Sequence, residues 1–246
     1  MSDSPNQGRF GGRWFIPAAV VVALVIVLVV VLVIVNLASG KKTPAADPTS
    51  AAPAVTSSAV PAAAKSVCGL KGYDTTNTLS GAPSATWEVV GTVPAPTDKK
   101  GAGPGKVDSD GFRSCYAHTA EGALFAVANF AALGTDATMY PKMPELVVDG
   151  PGKTAIVKQL QSNSGPSTSG LRAEVAGYKI DSYSADVSTV DLALNYSDGT
   201  LASAPLKVQW EDGDWKVVLA DDGSFPIAPS QLQSLGGYTP WAAEGE

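Results

Sequence analysis

The sequence predicts an α+β domain set behind a membrane helix: an N-terminal transmembrane helix, a disordered linker, then helices packed on a curved antiparallel β-meander. Three observations carry this. Residues 15–37 read "FIPAAVVVALVIVLVVVLVIVNL", without a single charge. The stretch "CYAHTAEGALFAVANFAAL" has apolar residues at helical spacing. Four strand-length runs follow, two of their junctions being Asp-Gly turns.

At about 1.5 Å rise per residue, about 20 such residues span a bilayer core of roughly 30 Å. A cleaved signal peptide has a shorter apolar core of about 7–15 residues, and no cysteine follows closely to carry a lipid anchor. A retained helix at 15–38 is expected, with residues 1–14 as a cytoplasmic tail. Arg9 and Arg13 before it nearly balance Lys41 and Lys42 after it, so basic residues barely set the orientation. The acidic character and paired cysteines of the remainder place it outside. The expected location is the cell membrane, single-pass, with the lipid bilayer as one partner. Residues 39–65 are mostly Ala, Pro, Ser and Thr. They bury too little apolar surface to offset ordering entropy and read as an extended linker. Residues 66–246 are then the extracytoplasmic domain, large enough for one core.

Within it, "ATWEVVGTV" reads as a strand, Trp87 and Val89 alternating with polar neighbours. "KKGAGPGKVDSDG" reads as a flexible surface loop whose Lys99 and Lys100 could touch an acidic partner. A buried helix follows Thr119, a suitable N-cap, with Glu121 in its first turn. Leu124, Val127, Ala128 and Ala131 share one face, widened by Phe125 and Phe130. A second helix is expected over 153–163. Strands are expected at 171–183, 185–196, 201–210 and 214–220, with Gly199 and Gly213 supplying positive φ. Leu206, Val208 and Trp210 alternate, as do Trp215, Val217 and Leu219. The apolar phase switches near Gly177 and near Ser188, which predicts β-bulges that bend the sheet. The tail "APSQLQSLGGYTPW" fits a short helix, Pro229 near its start and Gly236 as its C-cap. Tyr238 and Trp241 would clip back onto the body.

"DGPGKTAIVKQL" looks like a phosphate-binding loop, because Gly152-Lys153-Thr154 matches the end of G-x-x-x-x-G-K-[ST]. The first glycine would fall at Val147, and Pro151 removes an N–H from the cradle. A turn leading into a helix is the better reading. The other glycine cluster fails likewise, with Lys100 at the first glycine position and Val107 after Gly105-Lys106. Cys68 and Cys115, the only cysteines, are expected to form a disulfide. It would close a loop of about 48 residues, worth about 4 kcal/mol in the chain-entropy model. The rival is a Cys115–His118 nucleophile, which needs a free thiol. One histidine and two cysteines offer three soft ligands at most, so no metal site is expected, and no cofactor motif is present. His118 reads as a cap-region or surface residue; with no G-x-S-x-G elbow, a serine triad has no support. Asp221 and Asp222 sit in a turn-like stretch and should be solvated. A formal net charge of -6 and scattered basic residues disfavour nucleic acid.

The anchor, the Pro/Ala linker, the helices and the meander ending "VQWEDGDWKVV" resemble the nuclear-transport-factor-two-like (cystatin-like) cone. The layout is similar to assembly factors of type IV secretion and conjugation, and to actinobacterial membrane proteins associated with mammalian-cell-entry transporters. "GFRSCYAHTAEGALFAVANF" and "GGYTPW" resemble an uncharacterised actinobacterial family of single-pass membrane proteins often linked to conjugative elements, over residues 67–241. The resemblance implies no catalytic residues: cone-fold enzymes place Asp, His or Tyr in the cavity, where this chain has mostly Val, Leu and Trp. The expected function is a non-enzymatic envelope protein that docks other subunits, of a conjugation or secretion apparatus. The alternative is an accessory protein whose cone holds a lipid or another small ligand; an interior filled by its own side chains such as Trp210 and Trp215 would remove it. A hydrolase or isomerase using His118 is the third reading.

Overall fold

A computed structural model of the chain describes residues 65–162 and 172–243. Contacts divide the chain into Met1–Thr56 and Ser57–Glu246, and every described residue belongs to the second unit. The tail, membrane helix and linker expected over 1–65 lie outside the described residues, Lys65 excepted. Among the described residues, no helix is long and apolar enough to cross a membrane.

The run read as one strand is a hairpin. β1 (Thr86–Val90) pairs antiparallel with β2 (Val93–Thr97) across Gly91, whose φ is 59°. Pro94 and Pro96 hid β2 from the sequence reading, since proline cannot donate to a ladder and sits only at sheet edges. The glycine-rich segment that follows is pinned, not free. The Ala117 N–H donates to the Ala102 carbonyl at 3.0 Å and the Gly105 N–H to the Cys115 carbonyl at 2.7 Å. Its end pairs as β3 (Lys106–Val107) with β4 (Arg113–Ser114). Lys99 and Lys100 are exposed as expected.

α1 (Ala120–Leu133) begins where the Thr119 hydroxyl accepts the Gly122 N–H at 3.0 Å. It is buried almost all round. At Gly122 a Cβ would stand 2.0 Å from the Ala117 carbonyl oxygen, so the close approach at the helix start demands glycine. Asn129, fully buried in mid-helix, donates to the Pro96 and Phe125 carbonyls, each at 2.9 Å. Arg113, also buried, donates to Thr97 at 2.8 Å and forms an ion pair with Glu88. Together they fasten the hairpin to the helix. A 3-10 helix (Tyr140–Leu146) with prolines at 141 and 144 follows, unanticipated because its length shows no periodicity. α2 (Pro151–Ser162) takes Pro151 at its first position. The Gly-Lys-Thr motif is therefore a turn into a helix, with Lys153 held by Asp149 at 2.6 Å.

β5 (Ala173–Tyr183), β6 (Val187–Tyr196), β7 (Leu201–Glu211) and β8 (Asp214–Val217) form the expected meander, neighbour to neighbour. α1 packs on it, and Val190, Leu192, Val208, Trp215 and Val217 are buried there. One bulge lies where expected, between Val175 and Gly177. The second is not in β6, which pairs β7 without a shift; it lies across the ladder in β5, between Ile180 and Ser182. Buried Ser188 donates its hydroxyl to the Ser182 carbonyl at 3.1 Å. The apolar phase breaks at Ser188 because the bulged partner strand needs a donor there.

The tail is not a helix. β9 (Ser230–Gln231) pairs β7 at a point beyond the reach of β8, and β10 (Thr239–Pro240) pairs β5. Leu232 and Leu235 alone cannot supply a helical apolar face, whereas free ladder positions offer backbone partners. Trp241 does fold back. It is buried, its ring 4.8 Å from Trp87 and 5.5 Å from Phe125, and its Nε1 donates to the Pro83 carbonyl at 2.9 Å.

Candidate functional site

Cys68 and Cys115 form the expected disulfide, 47 positions apart, and neither thiol remains. That overturns the Cys–His nucleophile. Cys115 holds a φ of 69°, unusual outside glycine. The buried carboxylate of Asp214 accepts its N–H at 2.7 Å and those of Tyr116 and Trp215 at 2.8 Å each. Burial pushes the Asp214 carboxyl up to about 6, against the downward pull of the Tyr116, Cys115 and Trp215 N–H donors. The Tyr116 hydroxyl is the buried side-chain polar atom left without a partner among the described residues. Burial and then the Asp214 charge raise its phenol well above the ordinary value.

His118 lies in the cap region, directly before the Thr119 N-cap, but it is buried and not at the surface. Its ring stacks on Trp210, centroids 3.8 Å apart and planes 4° off parallel, with Tyr73 at 5.0 Å and Trp215 at 5.5 Å. Its Nε2 hydrogen-bonds the Ala185 carbonyl. A carbonyl only accepts, so Nε2 carries a proton. The residue therefore packs the start of α1 onto β7 and β8. Those aromatic neighbours are remote in sequence, so nothing local to His118 signalled them.

A polar cluster crosses β5, β6 and β7. Buried Asp191 accepts from the Ser203 hydroxyl at 2.8 Å and the Tyr238 hydroxyl at 2.6 Å, and Lys179 stands 3.7 Å away. Lys179 faces Asp191 in register. The visible signal was a lone carboxylate inside the apolar run of β6. Burial and the bond to Asp191 raise the Tyr238 phenol. The cluster secures the tail, as expected of Tyr238. Asp221 and Asp222 are exposed, and among the described residues no group of three His, Cys, Asp or Glu side chains could hold a metal ion.

The interior expected to receive a ligand is filled by α1 and by Trp215. A cavity of about 330 Å³ lies elsewhere. Its walls are the end of α1 (Phe130, Ala131, Gly134), the 3-10 helix (Tyr140, Met143), one face of α2 (Ile156, Leu160), β7 (Ala204, Pro205, Leu206) and the segment carrying Leu219, Gly223, Phe225 and Pro229. None of the lining side chains is charged, and neither Trp210 nor Trp215 is among them. At the rim Phe225 meets Phe130 edge-on, centroids 6.4 Å apart, and Phe225 and Ile227 are 44% and 43% exposed. α2 is held over the cavity by Gln159, whose side-chain amide donates to the Asp222 carbonyl at 3.0 Å. Gly152 allows the close contact: a Cβ there would stand 2.5 Å from the Ala220 carbonyl oxygen. Elements distant in sequence build these walls, so no local motif announced them.

The chain belongs to the family described as Domain of unknown function (DUF8175), whose model matches residues 48–240. No curated protein and no solved structure matches it.

Proposed function

We propose that the chain is a non-enzymatic, membrane-anchored envelope protein whose extracytoplasmic domain binds an apolar ligand, as an accessory to an envelope transporter. The cavity between α1, α2 and β7 carries this reading. Its 330 Å³ lies within the range of small-ligand pockets, about 300–1,000 Å³, and its uncharged walls suit an apolar occupant. The uncharged run at 15–37 supports the anchor, and the disulfide supports an oxidising compartment. Bonded cysteines and a histidine packed among aromatic rings support a role without catalysis. The test is extraction of the full chain from its own membranes, followed by mass spectrometry of what leaves with it. An apolar molecule near one-to-one stoichiometry is expected; repeated preparations without one would remove the reading. Protease added to intact spheroplasts should trim the domain, and full protection would reverse the orientation.

A second reading, docking of other subunits of a conjugation or secretion apparatus, is favoured by the exposed apolar side chains Phe225, Ile227 and Val89, the last 76% exposed on β1. In-cell crosslinking from positions 89 and 225 should then trap an envelope protein. Recovery of the monomer alone counts against it.

A further inference from the structure

We propose that the cavity takes one unbranched acyl chain of about ten to twelve carbons, attached to a head group without negative charge. The inference rests on the ligand-binding reading and narrows it to a chemical class. Volume sets the first limit. At about 30 Å³ for each water-sized group, close to the size of a methylene, 330 Å³ holds roughly eleven such groups. A single acyl chain fills that volume, whereas a sterol or an intact two-chain lipid would project from it.

The walls set the second limit. Ile156 and Leu160 lie one turn apart on α2, and Phe130 lies one turn before Gly134, the C-cap of α1. Each helix thus lends the cavity about one turn of its face, with β7 between, which leaves room for a narrow, bendable chain. Charge sets the third. No lysine or arginine lines the cavity to neutralise an anion, and the exposed residues Asp221 and Asp222 immediately precede the lining residue Gly223. A fatty-acid carboxylate at this rim would meet like charge, weakened by solvent, with no lining cation to offset it. A neutral ester or alcohol head would not.

The experiment uses the full chain in lipid nanodiscs and a monoacylglycerol carrying a diazirine near the chain end, with crosslinked peptides located by mass spectrometry. Labels are expected in the walls, at 130–143, 156–160 and 204–206. Monoacylglycerols of increasing length should compete, each added methylene improving competition about fourfold up to about twelve carbons and little beyond. Laurate should compete at least about tenfold less well than monolaurin. Ala204→Phe and Ala131→Phe, each filling the cavity from a different wall, should cut labelling about tenfold or more; two variants guard against one that misfolds, and both are checked for an unchanged melting transition. If a diazirine sterol labels these walls and the linear probe does not, the acyl assignment falls while the ligand-binding reading survives. If neither probe labels them, both fall. Equal competition by laurate overturns the head-group assignment.

Discussion

The Asp214 carboxylate accepts the Cys115 N–H at 2.7 Å, joining the start of β8 to the half-cystine that precedes α1. Because Cys115 sits at φ 69°, its backbone needs a fixed partner, and the same carboxylate also holds the Tyr116 N–H. Asp214→Ala leaves buried N–H donors without an acceptor and should cost about 3–4 kcal/mol. Asp214→Asn keeps one acceptor oxygen and should cost about half as much. Urea denaturation of both variants measures this, and an Ala variant within about 0.5 kcal/mol of the natural chain would refute the bracing role.

The same group makes stability depend on pH. Its folded value of about 6 lies above the unfolded carboxylate value. The folded state therefore binds the proton more tightly, and its contribution is fully present below about pH 4 and lost as pH rises through 6. The change from this residue is about 3 kcal/mol. Denaturation curves between pH 4 and 7 should show it, and Asp214→Asn should remove it. A midpoint rising with pH in the natural chain but not in the variant would contradict the sign.

Removing the cross-link by Cys68→Ala with Cys115→Ala should lower stability by about 2–5 kcal/mol. The meander itself should persist, since its ladders do not pass through either cysteine. Thermal unfolding with and without reductant, followed by far-ultraviolet dichroism, separates the two effects.

His118→Phe retains a flat ring against Trp210 and loses the bond to the Ala185 carbonyl. It should cost about 1–2 kcal/mol, whereas His118→Ala, which opens a cavity, should cost about 3. Ligand co-purification should be unchanged in the Phe variant. A Phe variant that folds normally yet loses function would return His118 to a chemical role.

Trp241→Ala should cost about 3–5 kcal/mol, because the indole is buried against Trp87 and Phe125 although it stands near the chain end. A change below about 1 kcal/mol would mean that the tail is only loosely attached.

Where local pattern and tertiary demand agreed, the sequence was legible. α1 followed from the Thr119 cap and its apolar spacing, the meander from alternation and Asp-Gly turns, and the disulfide from there being only two cysteines. Where long-range pairing decided, it was not. β2 carries two prolines and still pairs, and the tail takes two short ladder segments in place of a helix. His118 is buried by aromatic rings from β7 and β8. The cavity needs five separate stretches of chain, none of which marks itself as a wall.

The first described residues meet the body at one spot: the Val67 N–H donates to the Gly213 carbonyl at 2.8 Å, and Cys68 is bonded to Cys115. Tension applied from the N-terminal side therefore travels through sulfur directly into the backbone just ahead of α1. The intervening stretch, hairpin β1–β2 included, is bypassed as a slack loop is by a shackle. Pulling can peel away the short lead before Cys68, but load then falls on Cys115 and its Asp214 brace, with the buried helix behind them.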